Sequence, residues 1–252
     1  MGKIVAIANQ KGGVGKTTTA INLAVSLAHF GCKCLLIDMD PQSNTTTGFG
    51  INKNGLERDI YDVLVNEITL ESVLQNTIIN RLDLVPATTG LSGAEVDLVN
   101  MNDRDKKLKF ALEKFHGMYK YIIIDCPPSL GLLTINALVA ADSVLIPMQC
   151  EFFALEGLGQ LSGTISTLMQ NYNLNLEGVL FTMYDSRAKL VEQVVGEVKK
   201  FFKEKVYETK IPRTIKLAES PSFGKPVLLY DPSCKGAQAY LDFAEEFLAR
   251  QI

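Results

Sequence analysis

Tyr121-Ile122-Ile123-Ile124-Asp125 is apolar at successive positions, where a strand half open to water alternates apolar with polar. A run of this kind needs cover on both faces, the condition of a central strand in a parallel sheet with helices above and below. Strand character recurs at 4–8, 34–38, 82–86, 143–147, 177–183 and 206–211. Helical periodicity lies between these runs, at 17–29, 103–115, 132–140, 154–172, 190–202 and 237–250. Such alternation implies right-handed βαβ units and an α/β fold: a doubly wound, mostly parallel sheet flanked by helices. The second strand is expected to neighbour the first. Residues 52–77 are the least patterned and are expected to pack as short helices over one edge. No repeat, low-complexity tract or Pro/Gly/Ser linker interrupts the 252 residues, so a single domain over 1–252 is expected.

The first strand runs into Asn9-Gln10-Lys11-Gly12-Gly13-Val14-Gly15-Lys16-Thr17-Thr18-Thr19 and then directly into a helix. Strand, glycine-rich loop, Gly-Lys-Thr and helix make a phosphate cradle, the P-loop. Glycines let backbone N–H groups close around phosphate oxygens, and the helix N-terminus adds its positive dipole. Lys16 is expected to reach the β- and γ-phosphates and the Thr17 hydroxyl to ligate Mg²⁺. The pattern G-x-x-x-x-G-K-[ST] puts its first glycine at position 10, where this chain has Gln10 followed by an extra lysine, Lys11.

A P-loop alone predicts nucleotide binding. Hydrolysis also needs an acidic group in the metal shell and a group that orients the attacking water. Asp125 ends an apolar strand and suits the metal, directly or through water. The Cys126-Pro127-Pro128-Ser129-Leu130-Gly131 segment then breaks the strand as a loop suited to respond to a γ-phosphate. Asp38-Met39-Asp40-Pro41-Gln42 closes the second strand, and Asp40 is expected to orient the water with Asp38 in support. The competing reading of either carboxyl, a helix N-cap or a solvated loop residue, is the weaker one for each alone and weaker still when both accompany a P-loop.

Lysine and arginine number 25 against 28 aspartates and glutamates, a net charge of −3. That excludes a bulk-basic nucleic-acid binder and leaves only a local patch for any DNA contact. Five cysteines, an odd number with no C-x-x-C pair, give neither a disulfide framework nor a zinc or iron–sulfur spacing. A reducing, cytoplasmic location is expected. The opening residues are too short a run for a signal peptide, Ala6 stands where myristoylation wants Ser or Thr, and no apolar run approaches the ~18 residues of a membrane span.

Lys11-Gly-Gly-Val-Gly-Lys-Thr17 resembles the deviant Walker A box of the ParA/MinD family of P-loop ATPases. Asp38-Met-Asp-Pro-Gln42, Val85-Pro-Ala87, Ser92-Gly-Ala-Glu95, Asp125-Cys-Pro-Pro-Ser-Leu-Gly131, Ala154-Leu-Glu-Gly157, Ile211-Pro-Arg213, Glu219-Ser-Pro-Ser222 and Gly224-Lys-Pro226 extend the resemblance over essentially the whole chain. It is strongest to the short chromosomal ParA proteins. The resemblance implies ATP/ADP and Mg²⁺ as cofactors, held by Lys11, Gly12, Gly13, Val14, Gly15, Lys16, Thr17 and Thr18, with Pro212 and Thr214 beside the adenosine. It implies catalytic roles for Lys11, Lys16 and Asp40, and a face-to-face homodimer in the ATP state in which Lys11 reaches the partner's nucleotide. It further implies slow hydrolysis, non-specific double-stranded DNA binding, stimulation by DNA and a ParB-like centromere-binding protein, and a nucleoid-associated role in chromosome or plasmid segregation. With the P-loop beginning at residue 10, an operator-reading N-terminal extension is not expected.

In that family, the arginine matching Arg187 and a basic residue after Ile-Pro-Arg contribute to DNA binding. Lys216 stands at the second position, where arginine is more usual. It keeps the attraction for phosphate and loses the bidentate fork. Lys199, Lys200 and Lys203 join these as candidate DNA contacts, although such lysines also suit a solvated helix C-terminus. Three rival readings remain. A MinD-like membrane-cycling ATPase positioning division needs a basic amphipathic C-terminal helix, whereas residues 240–252 carry three acids and one arginine, so no stable membrane insertion is expected. An iron–sulfur ATPase needs paired cysteines at a dimer interface; Cys32 and Cys34 are expected on opposite faces, and Cys126 has no nearby partner. A metabolic ligase on the same loop needs a substrate pocket that the sequence does not locate.

Overall fold

The structure, a computed structural model, describes residues 2–115, 117–151, 167, 170, 172–187 and 189–251. Eight strands, β1 (Lys3–Ile7), β2 (Cys34–Asp38), β3 (Gln75–Asn76), β4 (Leu82–Val85), β5 (Tyr121–Asp125), β6 (Ser143–Gln149), β7 (Asn175–Tyr184) and β8 (Val206–Pro212), form one sheet in the order β3-β4-β2-β5-β1-β6-β7-β8. All neighbours are parallel except β3 and β4. The described α-helices are α1 (Lys16–His29), α2 (Asn44–Gly48), α3 (Ile60–Val65), α4 (Ala94–Asp97), α5 (Lys107–Leu112), α6 (Leu132–Ala140), α7 (Lys189–Phe202), α8 (Ile215–Glu219), α9 (Val227–Tyr230) and α10 (Lys235–Ala249).

The double-sided character of β5 is explicit in the packing. Ile122 and Ile124 enter one core with Leu108, Leu112, Leu133 and Ala137 from α5 and α6. Tyr121 and Ile123 enter the other with Leu23 and Leu27 of α1 and Phe243 and Phe247 of α10. Burying each such side chain contributes about 1.5–3 kcal/mol, so the central strands anchor both layers.

The sheet order corrects one expectation. β2 does not adjoin β1, because β5 lies between them, pairing with both. The strand that can be apolar on both faces takes the middle of the sheet, and the crossover after β1 passes over its place. The consequence for chemistry is large: Asp38 comes into register with Asp125, and Asp125 with Ile7. The helix expected over 103–115 is shorter, because Asp103 adopts φ 48° and the regular turns begin only at Lys107. Residues 52–77 form a 3₁₀ turn, α3, a second 3₁₀ turn and β3, as expected of an edge cover. Most of the helix expected over 154–172 and all of Ala154-Leu-Glu-Gly157 lie outside the described residues.

Both sheet margins are blunt. β3 has two residues. At the other side the Glu246 carboxylate on α10 accepts from the Glu208 N–H at 2.9 Å and the Thr209 N–H at 2.8 Å, taking two donors of edge strand β8. Cys32 and Cys34 do not face apart: both are buried in the α1-side core, as extended-chain positions two apart share a face. Burial removes them from any interface all the same. Among the described residues, no helix is long and apolar enough to cross a membrane.

Candidate active site

The loop between β1 and α1 turns on two left-handed glycines, Gly13 at φ 73° and Gly15 at φ 87°, a conformation that costs other residues strain. A Cβ on Gly12 or Gly13 would meet nothing within 4 Å, so the loop opens onto free space. Side chains from distant strands hold the cradle. Asn9 Nδ2 donates to the Pro147 carbonyl at 2.8 Å, and its Oδ1 accepts from the Lys11 N–H at 3.0 Å. Gln149 donates to the Gly13 carbonyl at 2.7 Å, and the Thr182 hydroxyl to the Val14 carbonyl at 2.7 Å. The Lys16 ammonium donates to the Lys11 carbonyl at 3.2 Å. Burial lowers the Lys16 pKa, opposed by the acidic groups around it, Asp125 first and Asp40 among them.

Three carboxyls converge on this loop. Asp38 and Asp125 are fully buried and Asp40 is 7% exposed. Asp38 accepts from the Thr46 N–H at 2.9 Å, the Thr46 hydroxyl at 2.7 Å and the Asp40 N–H at 3.2 Å. Asp40 accepts from the Gln42 N–H at 2.9 Å. Asp125 Oδ2 accepts from the Thr45 hydroxyl at 2.8 Å, while Oδ1 is buried with no hydrogen-bond partner. Burial pushes Asp125 up to about 8, the Asp38 charge adds to the rise, and the Thr45 and Thr17 hydroxyls oppose it. Burial likewise raises Asp38, to about 6. An orphaned carboxylate oxygen beside the Thr17 hydroxyl is the hard-oxygen donor set that a magnesium ion takes, and a cation there would offset the charge that burial disfavours.

Beyond Gly15 and Thr18 lies a cavity of about 340 Å³ lined by Thr182, Met183, Pro212, Arg213, Thr214, Leu217 and Tyr240 among others. Pro212 and Thr214 therefore flank the P-loop, at the end of β8 and the start of α8. Thr214 caps α8, its hydroxyl accepting from the Leu217 N–H at 3.2 Å.

The basic residues do not form one patch. Because β7 and β8 are parallel, α7 runs back along about 20 Å of the sheet. Arg187 follows the carboxyl end of β7, and Arg213 and Lys216 follow that of the parallel β8, while Lys199, Lys200 and Lys203 lie at the far end of α7. Neighbouring carboxylates engage most of them: Arg187 pairs with Asp185 at 2.6 Å, Lys199 with Glu208 and Lys200 with Glu197 at 2.7 Å, and Lys216 with Glu219 at 3.5 Å. Arg187 holds the Asp185 carboxyl down at about 2. The Lys11 ammonium pairs with Glu151, just past β6.

Sequence reasoning missed Thr45, Thr46, Gln149, Thr182 and Met183. None stands in a motif with its partner; the sequence signal nearest to them is the threonine run at 45–47 after Asp-Pro-Gln.

An AAA domain family model matches residues 2–178. The sporulation initiation inhibitor protein Soj of Bacillus subtilis is 55% identical over 251 residues, 99% of each chain. The chromosome partitioning protein ParA of Myxococcus xanthus is 53% identical over 99% of this chain and 89% of its own. Among solved structures, a Mycobacterium smegmatis protein described as cobyrinic acid a,c-diamide synthase, with bound ADP and magnesium, is 38% identical with a TM-score of 0.87, covering 100% of this chain and 96% of that one. A Borrelia burgdorferi putative plasmid partition protein bound to AMPPNP is 29% identical with a TM-score of 0.85 over the whole of both chains. With a P-loop, a carboxylate pair in register and full-length identity above one half to Soj and ParA, the chain belongs to the ParA/Soj family of chromosome-partitioning proteins.

Proposed function

We propose that residues 1–252 form a single ATPase domain that switches between monomer and ATP-bridged homodimer, binds DNA without sequence preference in the dimeric state, and drives chromosome or plasmid segregation with a ParB-like partner. The observation that carries the reading is the convergence of the Lys16 ammonium, the Thr17 hydroxyl and the orphaned Asp125 Oδ1 at one glycine loop. Names borne by relatives add weight, one being the chromosome-partitioning ATPase Soj of Treponema pallidum, 48% identical over 99% of this chain.

In this reading the N–H groups of Gly12 through Thr18 bind the phosphates, and Pro212 and Thr214 flank the adenosine. Thr17 and Asp125 hold Mg²⁺, the latter directly or through water; when bound, the ion supplies charge neutralisation at the phosphates. Asp40, beside Lys16, orients the attacking water. Lys16 stays in its own subunit, and Lys11, free of Glu151, reaches the partner's nucleotide, which makes turnover conditional on pairing. A net charge of −3 suits such a switch: Arg187 and Lys216 at one end of α7, and Lys199, Lys200 and Lys203 at the other, are too few for constitutive binding, and doubling them in a dimer steepens the salt dependence.

Co-sedimentation with DNA in ATP, ADP and no nucleotide tests the reading, which expects retention with ATP alone. Asp40→Ala is expected to keep ATP and remain locked on DNA; normal turnover in that variant would refute the role given to Asp40. Arg187→Glu is expected to lose DNA while still dimerising with ATP, and unchanged binding at low salt would move the patch elsewhere. The membrane-cycling alternative meets a specific obstacle, since α10 already buries Tyr240, Phe243 and Phe247 in the core. Against a ligase stands the lower identity to the protein that bears a synthase's name.

A further inference from the structure

Ser92-Gly-Ala-Glu95 has no task in the function proposed above, yet the Glu95 carboxylate takes two backbone donors 37 and 38 residues further along the chain. Its Oε2 accepts from the Leu132 N–H at 2.8 Å and its Oε1 from the Leu133 N–H at 3.2 Å, the first turn of α6. Gly131, the N-cap of α6, has no side chain to do this. A Cβ on Gly131 would stand 2.2 Å from Glu95 Oε1, so the carboxylate lies directly on the backbone where loop becomes helix. A carboxylate at exposed helix N–H groups is a charge-assisted pairing, favoured also by the helix dipole.

What lies upstream gives the contact its meaning. α6 is the exit of the loop that leaves β5 at Asp125. The inner end of that loop is fixed by the Cys126 N–H donating to the Ile7 carbonyl at 3.2 Å, next to Lys16. The outer end is fixed by Glu95 and by the Thr134 hydroxyl donating to the Ser129 carbonyl at 2.5 Å. Glu95 is itself firmly based. Ala94 and Leu98 on either side are fully buried, and the same segment begins at Ala87, whose N–H donates to Thr46 Oγ1, the group that serves Asp38. The loop after Asp125 is thus referenced, through Glu95, to the strand end that carries Asp38.

We propose that Glu95 is a positioning residue for ATP hydrolysis: by capping α6 it holds the Cys126–Gly131 loop, and with it Asp125, in the hydrolysis-competent place. This rests on the ATPase reading. The test compares the wild type with Glu95→Ala and Glu95→Gln in three measurements: kcat with saturating Mg²⁺·ATP and DNA, affinity for a fluorescent ADP analogue, and kcat during a formate titration at constant ionic strength. Glu95→Ala is expected to lose roughly tenfold in kcat, about 1.4 kcal/mol of barrier, while its affinity for the ADP analogue stays within about twofold of wild type. Glu95→Gln, which keeps one carbonyl acceptor, falls between. Formate, filling the vacated carboxylate position, restores part of the Glu95→Ala rate and leaves the wild type unchanged, whereas chloride does neither. Wild-type kcat in Glu95→Ala, or parallel loss of kcat and affinity with no response to formate, overturns the proposal alone. A wild type that binds the analogue and never hydrolyses ATP overturns the ATPase reading and this inference with it.

Discussion

Thr46 is the joint between the two halves of the proposed catalytic edge, and its hydroxyl makes two hydrogen bonds at once. It donates to Asp38 Oδ2 at 2.7 Å and accepts from the Ala87 N–H at 2.9 Å, and the residue is fully buried. Thr46→Val keeps the shape and removes both bonds. The Ala87 N–H is left buried without an acceptor, at about 1–3 kcal/mol, and a carboxyl loses a hydroxyl donor, at about 1.5–3 kcal/mol. Taking about 4 kcal/mol in total and a urea m-value near 3 kcal/mol/M, the unfolding midpoint of the nucleotide-free protein falls by about 1.3 M. Thr46→Ser is the control, since it deletes one methyl and keeps the hydroxyl, at about 1 kcal/mol. Equilibrium unfolding by circular dichroism measures both. If Thr46→Val and Thr46→Ser shift the midpoint equally at constant m, the bridge contributes nothing and the argument for a joined edge fails.

Other consequences are independent of that bridge. Asp38 and Asp125 titrate higher in the folded protein, about 6 and about 8, than in the unfolded chain, so the native state holds extra protons across that window. Stability of the nucleotide-free protein therefore falls as pH rises from about 4 to 8, by at most about 1.4 kcal/mol per unit for each carboxyl; a melting temperature that climbs over this range contradicts the assignment. Asp125→Asn is expected to flatten the profile, to melt higher than wild type at pH 8 without nucleotide, and to lose the extra stabilisation Mg²⁺ gives over ADP alone, all readable by thermal shift. A Cβ on Gly224 would stand 2.6 Å from Gly50 Cα, and φ there is 62°, so Gly224→Ala is expected to cost about 2–4 kcal/mol. Gly48→Ala meets only the movable Cδ1 of Ile21 at 2.7 Å and should cost clearly less; equal destabilisation would show the Gly50–Gly224 contact to be soft.

Local pattern made much of this molecule legible. Each of the seven longer strands lies where an apolar run stands, because a parallel sheet covered on both sides needs side chains apolar in both directions. The loop from Asn9 to Thr19 was equally legible, since its glycines and Gly-Lys-Thr sit contiguously. What escaped was contact between segments far apart. Nothing near Asp38 says that β5 and not β1 lies beside it, so the in-register carboxyl pair was invisible. Thr45 and Thr182 reach Asp125 and Val14 across 80 and 168 residues and leave no periodic trace. Basic residues that crowd together in sequence, Arg187 through Lys203, are separated by the length of the helix between them.

The closed margins of the sheet bear on stoichiometry. An unpaired strand edge is a template that another chain can extend, and extension of that kind has no natural stopping point. Here Glu246 occupies two of the β8 donors, and β3 offers two residues in the opposite direction. The homodimer proposed above accordingly pairs not along a strand edge but at the carboxyl ends of the strands, where Lys11 stands. A contact made face to face at that end uses the same surface from each copy, so it is complete at two and leaves nothing for a third.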